Sequence, residues 1–263
     1  MALKLNPLGY LIYAAMAADG LAFLGLAAGF KRVGRWLFAA GFLAAAAAFA
    51  YRWHQVGHAP LQSLFEVFLC LGMLSYPLSA FVRRFLEVGG EALDALIGFV
   101  VLFPCGFVFT AEAQTLPPGL QSRLFIPHVT AYMLAYVVLL KAGVEAARHL
   151  LSRTDGPEAR LALERGTSRL VSLGFPLLTL GLVLGAVWGK MAWGDYWHWD
   201  PKELWALATW LVYLGYVQFR HAYGTRHPRV NAALALGGTV CVLITLLWVN
   251  LGRIFAGLHS HGA

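Results

Sequence analysis

The sequence predicts an all-α fold, a polytopic transmembrane helical bundle of about eight spans with both termini outside. Three observations carry this prediction: 59% of the 263 residues are hydrophobic, only 13% are charged, and the mean hydropathy is +0.65. A soluble domain of this size has no means of burying so much apolar surface, whereas a bilayer-spanning helix needs about 20 mostly apolar residues. We therefore expect a single integral membrane domain over residues 1–263.

Four apolar runs in the first part of the chain predict four spans. The first contains Asp19, whose charge is costly in a membrane and should have a protein partner. The second run is short for a span, and the third carries Glu66 near its outer end. In order, these spans are Leu8–Phe30, Trp36–Tyr51, Leu61–Val82 and Leu93–Thr110.

Four more spans follow. The fifth contains Lys141 at a depth similar to that of Asp19, so we predict an ion pair between them, with a contact to a ligand path as the alternative. The polar residues 152–168 before the sixth span are predicted to be a loop, with a short helix after Pro157 as the alternative. The seventh span is short and follows Asp200, a predicted N-cap, and Pro201, a favoured first helical residue. The four spans are His128–Leu150, Leu170–Trp188, Leu204–Phe219 and Asn231–Val249.

Lys and Arg set the orientation, because they collect in cytoplasmic loops. Both termini and the tryptophan-rich segment 188–203 are therefore predicted to face outside. The net charge of +7 follows from this bias. No basic groove with interleaved aromatics indicates a nucleic-acid partner. The predicted cytoplasmic set is Lys31, Arg32, Arg35, Arg83, Arg84, Arg148, Arg153, Arg160, Arg165, Arg169, Arg220, Arg226 and Arg229; the outer set is Lys4, Arg52, Arg123, Lys190, Lys202 and Arg253.

The stretch "WGDYWHWDP", residues 193–201, combines wide aromatic area with acidic residues. An interfacial aromatic belt would need neither a fixed spacing nor the interrupting Asp195 and Asp200. Tryptophan cannot ligate a metal, since its indole N–H is only a donor. We therefore predict a rigid ledge for a planar hydrophobic ligand such as a porphyrin. Histidines 128, 198 and 259 lie near the same predicted face, and histidine is the natural ligand here for iron or another transition metal.

The segment "WGDYWHWDPKELWALATWLVYLGY" resembles the tryptophan-rich signature W-G-x-x-W-x-W-D, the WWD domain, of the haem-handling protein superfamily. Its members are the CcsA (ResC-like) proteins of System II cytochrome c biogenesis, and CcmC and CcmF of System I. The D-P-K-E continuation and eight spans are most similar to CcsA. Three further segments resemble CcsA: "GHAPLQSLFEVFLC" (57–70), "LPPGLQSRLFIPHV" (116–129) and "GLHSHG" (257–262).

This resemblance implies non-covalent binding of haem b, with His128 and His259 as axial ligands. It implies that Trp193, Trp197, Trp199 and Asp200 position that haem at the outer face of a bacterial cytoplasmic or thylakoid membrane. The implied partners are a CcsB/ResB-type protein, thiol-reducing proteins and apocytochrome c. The implied role is haem transport and haem attachment to the CxxCH motif of apocytochrome c, which the chain would perform as a subunit of a holocytochrome c synthase. Three more residues are predicted near the haem: Arg123 and Arg253 as propionate partners, since guanidinium suits carboxylate, and Glu66 as a haem neighbour or a helix cap.

One position departs from the family pattern. Where Y-L-H-x-R usually supplies a histidine to a second, intramembrane haem, this chain has Gln218, a poor iron ligand. His221 lies on nearly the same helix face and is a substitute ligand; otherwise the second haem is absent. Two other functions stay open: a HemX-like or CcmC-like haem-trafficking protein without ligation activity, and a solute transporter. Against the transporter, the sequence lacks paired broken helices repeated in two halves.

Overall fold

The computed structural model describes residues 4–151 and 156–248, and these residues form helices and connections without any β-strand. The all-helical prediction is confirmed, whereas the orientation of the termini stays a prediction. A 3-10 turn, Pro118–Leu120, precedes the fifth helix, and π-helical turns, Ile244–Trp248, continue the eighth. The helices are α1 Pro7–Ala27, α2 Lys31–Val56, α3 Leu64–Phe85, α4 Glu91–Phe107, α5 Phe125–Leu151, α6 Pro157–Trp193, α7 Pro201–Tyr223 and α8 Pro228–Leu243.

Within the described residues, six helices are long and apolar enough to cross a membrane: α1, α2, α3, α5, α6, and α8 with its extension to Leu247. The second predicted span was too short because it excluded the residues with basic side chains at both ends. These residues are part of α2, which has 26 residues. The fourth and seventh predicted spans form helices, but α4 has only 17 residues and α7 falls outside the apolar set.

Residues 157–168 are helical, and the prediction of a loop there is wrong. Pro157 occupies the first turn of α6, where proline is favoured, and the Ala, Leu, Glu and Arg that follow have high helix propensity. Buried Leu163, Glu164 and Thr167 give this polar stretch a packed face. The resulting helix of 37 residues is about 55 Å long, well beyond the roughly 30 Å hydrocarbon core of a bilayer.

The chain divides into two compact units, Met1–Leu116 and Pro117–Ala263. In the first, α1 approaches α2 and α4 around Asp19, which is only 2% exposed. A Cβ atom added at Gly98 of α4 would lie 2.7 Å from Asp19 Oδ2, and one at Gly41 of α2 would overlap Asp19 Oδ1. Only glycine leaves room for the carboxyl group at these two positions. Lys141 is buried in the second unit, and its pairing with Asp19 stays a prediction.

A buried ion pair organises one end of the first unit. Arg52 Nε lies 2.9 Å from Glu66 Oε1, and both side chains are almost fully buried. The two Nη groups of Arg52 donate to the carbonyl oxygens of Ala111 and Glu112, at 2.8 and 2.9 Å. The pair therefore ties the end of α2 and the start of α3 to the segment that follows α4.

In the second unit, glycines of α6 receive side chains of the antiparallel α5. A Cβ at Gly174 would lie 2.6 Å from Leu139 Cδ2, and one at Gly181 would lie 3.0 Å from Tyr132 Cδ2. Small residues let membrane helices approach closely. This contact places the start of α5 beside the end of α6, where the candidate site lies.

Candidate functional site

His128 lies in the first turn of α5 and is held by α6. Its Nδ1 atom is 2.9 Å from the carbonyl oxygen of Gly181. A carbonyl oxygen only accepts hydrogen bonds, so Nδ1 carries a proton, and in the neutral imidazole the lone pair is then on Nε2. Metal-ligating histidines characteristically donate their other ring N–H to a carbonyl or carboxylate, and His128 has that arrangement.

The imidazole ring of His128 is fixed on three sides. It stacks on Trp188 with ring centroids 5.4 Å apart and 28° between planes, and it meets the ring of Tyr132 edge-on at 5.1 Å. A Cβ at Gly185 would lie 2.5 Å from His128 Cε1, so this residue must be glycine for the ring to occupy its place. The packing restricts the direction in which the Nε2 lone pair points.

Trp188 is a site residue that sequence reasoning did not single out within segment 188–203. It is 3% exposed, its Nε1 donates to the carbonyl oxygen of Gly119 at 3.0 Å, and its ring lies 4.7 Å from that of Trp193. Trp188 therefore connects the His128 ring to the predicted ledge of residues 193–201, called the tryptophan ledge below. The signal that could have found it is the pattern Gly181-x3-Gly185-x3-Gly189, which marks a close helix contact in a membrane.

The tryptophan ledge begins where α6 ends. Gly194, with φ of +94°, terminates the helix just after Trp193. The ring of Trp193 meets that of His198 edge-on at 6.1 Å, and the rings of Trp197 and Trp199 meet at 6.1 Å and 83°. Trp193 thus ends α6, and Trp197 and Trp199 meet in the short loop that follows. Trp199 has φ of +59° and is 68% exposed.

A capping box fixes the far end of the ledge. Asp200 is the N-cap of α7 and its Oδ1 accepts from the Lys202 amide at 2.8 Å. Glu203 Oε2 accepts from the backbone amides of His198 at 2.7 Å and Asp200 at 3.2 Å. The prediction that Asp200 is the N-cap and Pro201 the first helical residue is confirmed. Burial lowers the pKa of Lys202, and neighbouring Asp200 partly opposes that shift.

The ledge contains polar atoms suited to a ligand. Trp197 Nε1 and His198 Nδ1 are buried and have no hydrogen-bond partner among the described residues; Glu203 Oε1 is 3.9 Å from His198 Nδ1. A buried indole N–H that lacks an acceptor costs free energy, and a ligand carboxylate would satisfy it. No group of three or more His, Cys, Asp or Glu side chains in the described ranges could hold a bare metal ion.

The other predicted haem residues have different surroundings. Arg123 is exposed in the connection before α5, while Arg253 and His259 lie outside the described residues. Glu66, in the first unit, pairs with Arg52 and accepts from the amides of Gln62 and Ser63 in a second capping box. Its contact with haem stays a prediction.

Neither candidate for the second haem is packed within its unit. Gln218 and His221 are both exposed on α7, and His221 is one of the basic residues of its last turn. Between them, Arg220 lies 2.7 Å from buried Glu164 of α6, which also accepts from Asn231 at 3.0 Å. Ligation by His221 stays a prediction.

Comparisons with known proteins agree with this architecture. The family model "Cytochrome C assembly protein" matches residues 60–256. CcsA cytochrome c biogenesis proteins are similar: that of Chlamydomonas reinhardtii is 33% identical, covering 80% of this chain and 63% of its own length; that of Heterosigma akashiwo is 32% identical, covering 81% and 80%; and that of Synechococcus elongatus is 31% identical, covering 84% of both.

A solved structure, the cytochrome c haem lyase CcmF, superposes with a TM-score of 0.69 over 95% of this chain and 51% of its own length. At 21% identity, that likeness concerns the fold alone. The family model and the CcsA relatives, by contrast, match most of the sequence. This chain therefore belongs to the cytochrome c assembly protein family, as an integral membrane protein similar to CcsA.

Proposed function

We propose that the chain binds haem b non-covalently and presents it at the outer face of a bacterial cytoplasmic or thylakoid membrane for attachment to apocytochrome c. Its family ties it to cytochrome c maturation. The observation that supports haem binding most directly is the His128 Nδ1–Gly181 hydrogen bond, because it leaves Nε2 as the metal-binding nitrogen.

Each residue of the site has a role in this proposal. His128 and His259 are the two axial ligands, and the rings of Trp193, Trp197 and Trp199 form an apolar surface for the macrocycle. The Trp197 N–H, Arg123 and Arg253 are donors that pair with the propionates. Asp200 holds the ledge by capping α7 rather than by contact with the ligand.

When bound, haem supplies the vinyl groups to which the two CxxCH thiols add, forming thioethers. The chain itself contributes position. The imidazole of His128 packs against Trp188 and Tyr132 and can rotate little. A haem bound to it would therefore keep its vinyl groups where an incoming thiol can approach. A CcsB/ResB-type membrane partner completes the synthase, and thiol-reducing proteins keep the substrate cysteines reduced.

Haem content of the purified chain, co-expressed with such a partner, tests the proposal. His128→Ala should lose most of the Soret absorbance and reduce maturation of a reporter cytochrome c at least tenfold. His54→Ala is the matched control, because His54 is exposed at the predicted outer end of α2 and should leave both readouts unchanged. Wild-type haem content and maturation in His128→Ala would refute the proposal.

The same preparation separates the two other functions. A wild-type Soret band without maturation by the partnered complex would favour haem trafficking without ligation. Absence of any Soret band, with helical content intact by circular dichroism, would favour solute transport.

A further inference from the structure

A cavity of about 520 Å³ opens at the start of α2 in the first unit. Its lining is basic and aromatic: Lys31, Arg32, Arg35, Trp36 and Tyr76. The three cations belong to the predicted cytoplasmic set, so the cavity is expected at the end of the unit that meets the cytoplasmic leaflet. None of these residues has a part in the haem site proposed above.

The positive charge of this cavity is only partly compensated. Arg35 donates from Nε and Nη2 to Glu91, at 2.9 and 2.8 Å, and Arg83 shares the same carboxylate at 2.9 Å. One glutamate thus serves two guanidinium groups. Lys31 and Arg32 are exposed, and neither has an ion-pair partner within the described ranges. The cavity therefore retains a net positive charge that an anion would neutralise.

The helix and the aromatic walls add to this preference. No side chain caps the N-terminus of α2, so its dipole also favours an anion there. Trp36 is 70% exposed, and the Tyr76 ring packs against those of Phe38 and Phe42, at 5.3 and 5.9 Å. An amphiphile with an anionic head and an apolar body matches cations next to such rings.

We propose that this cavity binds the phosphate of an anionic phospholipid from the cytoplasmic leaflet. Lys31 and Arg32 contact the phosphate, Arg35 contributes the donors that Glu91 does not use, and Trp36 packs against the acyl chains. Basic pockets at the cytoplasmic ends of membrane helices recognise anionic head groups in this way. The aromatic walls favour a lipid over a soluble phosphate compound.

Native mass spectrometry of the full chain in detergent tests this site. The chain is titrated with dioleoylphosphatidylglycerol or with dioleoylphosphatidylcholine. The wild type should bind the anionic lipid more tightly, and Lys31→Ala/Arg32→Ala should weaken that binding roughly thirtyfold, about fivefold for each cation. Lys31→Gln, a milder change, should weaken it about fivefold. Arg226→Ala/Arg229→Ala, which removes two exposed cations of the same predicted face, should have no effect.

Equal affinity for the two lipids, unchanged affinity in both Lys31 variants, or an equal loss in the Arg226/Arg229 control would each overturn the proposal. Displacement of the bound lipid by millimolar inorganic phosphate would assign the cavity to soluble phosphate instead, and would also overturn it. Haem content measured on the same samples should stay at the wild-type level, so this test and that of the proposed function can fail independently.

Discussion

Replacing Gly185 by alanine should move the His128 ring and so weaken haem binding without replacing either proposed axial ligand. The added Cβ would lie 2.5 Å from His128 Cε1 and 2.9 Å from Nδ1, whereas ordinary contact is about 3.5 Å. The ring must therefore shift by about 1 Å, which lengthens the 2.9 Å bond to Gly181 beyond hydrogen-bond range. Losing that bond costs about 1 kcal/mol, and disturbing the stack on Trp188 costs about as much again.

The assay compares Gly185→Ala with Gly215→Ala, a second helical glycine that has no heavy atom within 4 Å of an added Cβ. We expect Gly185→Ala to lower the free energy of unfolding in detergent by about 2 kcal/mol and to reduce haem content per chain. Gly215→Ala should raise stability by up to about 1 kcal/mol and leave haem content unchanged. Equal stability and equal haem content in the two variants would refute the argument that Gly185 positions His128.

Two more predictions concern polar anchors. Arg52→Ala should destabilise the chain by about 3–5 kcal/mol, because it leaves Glu66 as an uncompensated buried charge. The control Lys190→Ala, which removes an exposed partner of Asp195 at 3.8 Å, should cost under about 0.5 kcal/mol. Unfolding in detergent, monitored by circular dichroism, measures both changes in stability. Glu203→Ala should cost about 1 kcal/mol and, by freeing the His198 amide, increase hydrogen exchange through the ledge; unchanged exchange would contradict that role.

Local patterns in the sequence predict the helices and the residues at which they begin, because neighbouring residues determine these features. Long apolar runs predict the helices, and the order Asp200-Pro201 predicts the start of α7, because an N-cap and a first-turn proline act within a few residues. The helix over residues 157–168 was missed for the opposite reason. Its polar composition is typical of a loop. The burial of Glu164 depends on its contacts with Arg220 and Asn231, which lie 56 and 67 residues further along the chain.

The candidate site shows the same division. The tryptophans of one short segment could be grouped from their spacing alone. Apart from the neighbouring Tyr132, the partners of His128 are Gly181, Gly185 and Trp188, more than fifty residues further along the chain, and no local pattern at His128 indicates these three. The glycines of α6 carry the missing information, since their four-residue spacing marks a face that another helix must approach.

The backbone of Trp199 has a consequence for anyone who engineers this protein. A side chain with a Cβ pays about 1–2 kcal/mol to sit in the left-handed region, and glycine would sit there at no such cost. Selection for heat resistance is therefore expected to favour Trp199→Gly, which would remove an exposed indole of the proposed haem surface. Thermostabilised versions should be checked at codon 199 before they are used to measure how tightly a tetrapyrrole binds.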